Sequence, residues 1–256
     1  MNKRGQVTAF VVLGVIVVAL VLLLLYTKTS MFVFTPSTED LNQVMSEIRK
    51  EIISCIGEVG DEPIRRIALQ GGYLSTPEET YRLYDDTTIS YLCYNMENDP
   101  KCRNRMLRKP DMESQLDEAI DFGLSTCIDI QKYKKLGSFE ITTPSDWEIE
   151  TTINPESTIV TITYPLTISS EKSEQKLSAE TFSKVFNYPL GELYKVSQDI
   201  IEMETTYGEF DQLPYMLGYH GMYRIEKLRP YPDKIYKLYK EDSNYIFQFA
   251  VQGEAL

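Results

Sequence analysis

Hydrophobic residues recur along this chain in three rhythms. From Val7 to Tyr26 they run on without a charge or a polar face. At about 1.5 Å per residue, about 20 residues span about 30 Å, the hydrocarbon thickness of a bilayer, so the run predicts a transmembrane helix over residues 7–27. A cleaved secretory signal has a shorter apolar region, about 7–15 residues, closed by small residues. Here Leu and Val continue to the end, and Tyr26 and Lys28 stand where interfacial anchors would.

The second rhythm is helical. Behind Thr38, a capping residue, Leu41, Val44, Met45, Ile48, Ile52, Cys55 and Ile56 share one face. Pro36 separates this helix from the apolar run. Pro63 suits the first turn of a second, short helix through Leu69, which Gly71-Gly72 closes. Pro110 opens a longer helix through Lys132, with Leu116, Ile120, Cys127 and Ile128 near one stripe. A fourth begins at Pro189 and turns Leu193, Val196, Ile200 and Met203 inward.

The third rhythm has period two. A short strand covers Ile89 to Tyr94. Phe139 and Ile141 alternate, as do Trp147, Ile149, Thr151 and Ile153, and then Val160, Ile162, Tyr164, Leu166 and Ile168. Asn154 to Ser157 is a turn between two of these strands, which predicts an antiparallel meander. Glu171 to Ser178 reads as an exposed loop or strand tip. Lys234–Lys240 and Tyr245–Val251 form two last strands joined at Asp242-Ser243-Asn244. The expected fold class is α+β: one N-terminal transmembrane helix, a helical segment, then a mainly antiparallel β-sheet ectodomain with a further helix. The expected organisation is a cytoplasmic N-terminus (1–6), the transmembrane helix (7–27), a juxtamembrane linker (28–37), a helical disulfide-bonded part (38–136) and a sheet part (137–256).

Charge sets orientation and narrows the partners. Lys3 and Arg4 precede the apolar run, and the positive-inside rule keeps that end in the cytoplasm, with the rest extracellular. With 38 acidic against 26 basic residues the formal net charge is -12, which argues against nucleic acid and against anionic membrane surfaces. The expected partners are the lipid bilayer and other proteins, or further copies of the chain. No small-molecule substrate is expected. Tyrosines crowd the C-terminal third, where Tyr207 to Tyr245 is a candidate recognition region.

All four cysteines follow the apolar run, and an even number in an exported domain reads as disulfides. Three pairings are possible. Cys55 and Cys127 lie on the buried faces of two helices that packing would bring together, while Cys93 and Cys102 flank a short loop containing Asn98-Asp99-Pro100. The expected bridges are therefore Cys55–Cys127 and Cys93–Cys102. Without a CxxC pair, and with His220 the only histidine, no metal site is expected.

Catalytic patterns are missing from the sequence. It contains no GxSxG, HExxH, Walker loop or GxGxxG. His220 sits in a Gly-Tyr-His-Gly turn sequence, and Glu78-Glu79 and Asp85-Asp86 lie in loops without calcium-binding spacing. Neither a catalytic residue nor a cofactor is expected.

One short motif has a family likeness. Lys3-Arg4-Gly5-Gln6, followed by Thr8 and Phe10, resembles the class III signal peptide of archaeal type IV pilins. The resemblance implies cleavage between Gly5 and Gln6, with the apolar helix retained as the core of a filament. Ala9 stands where that family has a glutamate. More loosely, the opening, the Leu69 to Tyr73 segment, Tyr164 to Thr167 and Phe247 to Ala250 resemble single-pass surface proteins of small-genome archaea. The expected function is that of a membrane-anchored structural or interaction protein of the cell surface, pilin-like, as a filament or assembly subunit. The alternative is an anchored binding module or adhesin that recognises a partner through its Tyr-rich region; an anchored enzyme ranks behind both.

Overall fold

A computed structural model describes residues 14–22, 38–96, 101–134, 139–170 and 176–253. Of the predicted transmembrane helix, residues 14–22 are described and form a helix, α1. Among the described residues no helix is long and apolar enough to cross a membrane, which corrects the expected N-terminal transmembrane helix. Lys3, Arg4, Gly5 and Gln6, the flanks of the apolar run, and the linker at 28–37 lie outside the described residues.

The remaining described residues are α+β, with one mixed and one antiparallel sheet. The helix α2 (Thr38–Leu69) runs unbroken past Pro63, where a second helix was expected to begin. The reason lies in packing: its apolar stripe passes from Leu41, Ile48, Ile52 and Ile56 straight on to Ile64, Ile67 and Ala68, all buried. That continuous burial outweighs the one backbone hydrogen bond a proline forfeits. Gly71 and Gly72, at φ 73° and 92°, close the helix as a C-cap, with Gly72 N donating to Ile67 O at 2.7 Å.

The larger sheet runs β1-β2-β10-β9-β8, made of β1 (Tyr81–Tyr84), β2 (Thr87–Asn95), β8 (Tyr223–Leu228), β9 (Lys234–Lys240) and β10 (Ile246–Val251), with β3 (Cys102–Asn104) also paired to β2. Its strands come from both sides of residue 137. β10 enters beside β2 in parallel, and the other pairings are antiparallel. The smaller sheet centres on β6 (Thr158–Ser170). β7 (Lys176–Phe186) pairs with one side of it; β4 (Phe139–Thr142) and β5 (Glu148–Ile153) share the other. β5 pairs with β6 as far as Thr163, and β4 takes over from Thr167. Pro165 sits in the gap between them, where the β6–β7 register also shifts, so its missing N–H breaks no ladder bond. Of the stretch Glu171 to Ser178, expected as an exposed loop or strand tip, Lys176 to Ser178 form the start of β7, and 171–175 lie outside the described residues.

The helix opened by Pro110 ends early: α3 is Lys109–Cys127, and a short α4 (Gln131–Lys134) follows it. Disulfides join Cys55 of α2 to Cys127 of α3, and Cys93 of β2 to Cys102 of β3. One continuous core then gathers α2, α3, both sheets and α5 (Leu190–Tyr207). α5 packs on the same face of the larger sheet as α2, through Leu193, Val196 and Ile200.

Two outcomes test this packing. A Cβ on Gly191 would lie 2.5 Å from Asn154 O and 2.8 Å from its carbonyl carbon, both backbone atoms. Gly191→Ala is expected to cost roughly 1–3 kcal/mol in urea unfolding, while Gly218→Ala, which meets nothing within 4 Å, stays within about 0.5 kcal/mol. Equal stabilities for the two variants would contradict the close α5 approach. The Cys55–Cys127 bridge closes a separation of 72 residues. Replacing both cysteines with alanine is expected to lower stability by about 3–5 kcal/mol, and an unchanged unfolding midpoint would show that the cross-link constrains nothing.

Candidate functional site: the tyrosine-carboxylate network and the α6 face

The Tyr-rich C-terminal third is divided between interior and surface. Tyr223, Tyr236 and Tyr245 are buried, while Tyr207, Tyr219 and Tyr231 are exposed. The inner tyrosines share a task. Tyr91 donates to Asp233 at 2.7 Å, Tyr223 to Glu192 at 2.7 Å, Tyr215 to Asp199 at 2.8 Å and Tyr239 to Glu226 at 3.3 Å. Tyr236 donates to Glu204, Tyr133 to Glu51 and Tyr188 to Asp61. A phenol satisfies a half-buried carboxylate without adding charge, which is one way an acidic chain folds its acids inward.

Glu204 is the deepest case. Helical periodicity placed Met203 inward, but Met203 is exposed and Glu204 buried. Burial of a carboxylate is possible there because Tyr236 O–H donates to one oxygen and Lys234 Nζ to the other, at 2.7 Å. Lys234 Nζ also donates to Gly208 O at 2.6 Å and lies 3.1 Å from Glu209. Its protons are thus spent on holding the end of α5 against β9. Burial opposes the charged form of Glu209, but hydrogen bonds from Lys227 and Lys234 prevail and hold its carboxyl below the usual range. This cluster walls a polar cleft of about 770 Å³ that also meets Asn95, Lys101, Cys102 and Gln252.

The phenols respond in the opposite direction. Burial, reinforced by the facing carboxylates, pushes Tyr91, Tyr133, Tyr215, Tyr223 and Tyr236 well above their ordinary value of 10.

Beyond α5 the sequence reading missed a helix. α6 (Gln212–Gly218) is short, contains Pro214, and offers too few residues for periodicity to reveal it. Asp211 caps it, its carboxylate accepting from Leu213 N at 3.1 Å. The inner side is held by Tyr215, 5.4 Å from Phe210 ring to ring, and by Met216, whose sulfur accepts from Ile225 N at 3.2 Å. The outer side carries Leu213 and Leu217, 59% and 68% exposed and one helical turn apart. Met203, Tyr207, Tyr219 and Met222 are also exposed on the elements bordering α6. Between α5 and α6 runs a groove of about 530 Å³, floored by Met203, Phe210, Pro214 and Tyr215 and rimmed by Asp199, Glu202 and Asp211.

The residues singled out from sequence lie apart from this face or serve other ends. The two disulfides staple α2 to α3 and β2 to β3. Cys102 alone of the four lines the polar cleft. Asp85-Asp86, at φ 51° and 57°, is the two-residue turn between β1 and β2. His220, exposed at φ 54°, turns the chain after α6. Among the described residues no group of three or more His, Cys, Asp or Glu side chains is placed to hold a metal ion. Comparison with known proteins finds no family model, no curated protein and no solved structure that matches the chain.

The phenol network makes stability sensitive to alkali. A raised folded-state pKa means the contribution is fully present below about pH 10 and is lost as pH climbs through the higher folded values. The urea midpoint, followed from about pH 8 to about pH 12, is expected to fall steeply above pH 10. Tyr236→Phe, which strips Glu204 of a donor, is expected to cost about 1–3 kcal/mol at neutral pH. A midpoint flat to pH 12 would refute the network's contribution.

Proposed function

We propose that this is an exported structural or interaction protein that works by docking another protein on its α6 face. The observation that carries the reading is α6 itself: a helix none of whose residues is buried, pinned from within, presenting Leu213 and Leu217 to solvent. Exposed apolar side chains grouped on a rigid support are the usual mark of an interaction surface. Disulfides are kept in oxidising compartments, so two of them in one chain support export to the cell surface. Of the two leading expectations, the binding module is favoured over the filament subunit. Its surface is narrower than the whole Tyr-rich region, because Tyr215, Tyr223, Tyr236 and Tyr239 hold carboxylates of their own fold.

The test is site-specific photo-crosslinking in cells that produce the protein. A benzophenone side chain at Leu217 is expected to give a discrete adduct that Leu213→Asp abolishes. The same probe at Phe122, 80% exposed on α3, is expected to give none. Because Leu213 lies outside the core, Leu213→Asp should leave stability within about 0.5 kcal/mol. No adduct from position 217, or equal adducts from both positions, would defeat the proposal.

A further inference from the structure

The face that α6 presents is unevenly charged. From Val196 to Tyr223 the chain carries five carboxylates, Asp199, Glu202, Glu204, Glu209 and Asp211, and no lysine or arginine. Glu204 and Glu209 are satisfied internally by Lys234 and Lys227. The other three form the rim of the α5–α6 groove. Asp199 already accepts from Tyr215 O–H at 2.8 Å and from Lys195 Nζ at 2.9 Å, and Asp211 uses one oxygen to cap α6. Among the described residues the Glu202 carboxylate receives no hydrogen bond, and it stands at the mouth of an apolar floor.

An apolar trough with an acidic rim matches one kind of side chain: a long aliphatic stem ending in a cation. We propose that the groove between α5 and α6 receives a lysine or arginine of an amphipathic cationic segment of the partner. The stem lies on Met203, Phe210 and Tyr215, and the head meets Glu202 with Asp199 and Asp211 beside it. The apolar side of the same segment covers Leu213 and Leu217. A second copy of this chain docking through the same face is disfavoured, because it would set two acidic rims against each other in a molecule of net charge -12. The inference rests on the reading of α6 as a docking face and adds the chemistry of what docks there.

The probe is a labelled Leu/Lys helical peptide of about 14 residues, four turns long, with a Leu/Gln peptide of the same pattern as its neutral counterpart. Binding is read by fluorescence anisotropy on the full chain at low and at high salt. The Leu/Lys peptide is expected to bind at least about fivefold more tightly than Leu/Gln, and Glu202→Lys to weaken it by about five- to tenfold. Glu118→Lys, an exposed reversal on α3 with the same change of net charge, is expected to leave affinity unchanged. That control separates the groove from general attraction to an acidic protein. Equal binding of the two peptides, equal losses from the two reversals, or a dimer in sedimentation that Leu217→Asp dissolves would overturn the inference. The photo-crosslink at Leu217 remains the separate test of the face: an adduct with a charge-insensitive groove sinks only the cationic partner, whereas no adduct sinks both.

Discussion

The whole fold hangs on burying the apolar stripe of α2. A helix of 32 residues with a continuous hydrophobic face cannot satisfy that face with a single neighbour. It lies against α3, against β6 and β7 of the smaller sheet, and against β10 of the larger one. Each buried aliphatic side chain in the stripe is worth about 1.5–3 kcal/mol, so no one of these neighbours can be withdrawn cheaply. The Cys55–Cys127 bridge adds a covalent constraint in the same layer. Both sheets are thereby referred to one rod.

A second constraint follows from composition. A chain with 38 acidic residues that builds one core has to bring some carboxylates to its edge. Here tyrosines meet them, and seven phenols donate to carboxylates across the fold. Three more donate to backbone carbonyls: Tyr73 to Arg105, Tyr194 to Leu107 and Tyr245 to Ile64. A surplus of tyrosine in an acidic protein therefore does not by itself signal a recognition surface. Much of it is internal hydrogen-bond supply.

The α6 face gains its meaning from that background. Behind it stand the Glu204–Lys234–Tyr236 cluster and a run of rings, Tyr215 on Tyr219 at 4.8 Å and Tyr219 on Tyr223 at 5.2 Å, which fix α6 against β8. A short helix held this way keeps its apolar side chains outward without losing its place. Rigidity lowers the ordering cost that a docking surface otherwise bears.

Local pattern was enough to determine much of the scaffold. The stripes of α2, α3 and α5, the alternation of β5 and β6, the Gly71-Gly72 cap and the last two strands are legible because each depends on residues a few positions apart. Tertiary structure decided the rest. It ran α2 through Pro63, because burial on both sides of the proline exceeds the bond it removes. It buried Glu204 and exposed Met203, because two donors from a distant strand, Lys234 and Tyr236, were waiting for a carboxylate. It turned Tyr223, Tyr236 and Tyr245 inward and left α6 outside, since a phenol's place depends on which partner lies opposite it in space. No periodicity within the chain encodes that partner; only the packing of α5 against β8 and β9 supplies it.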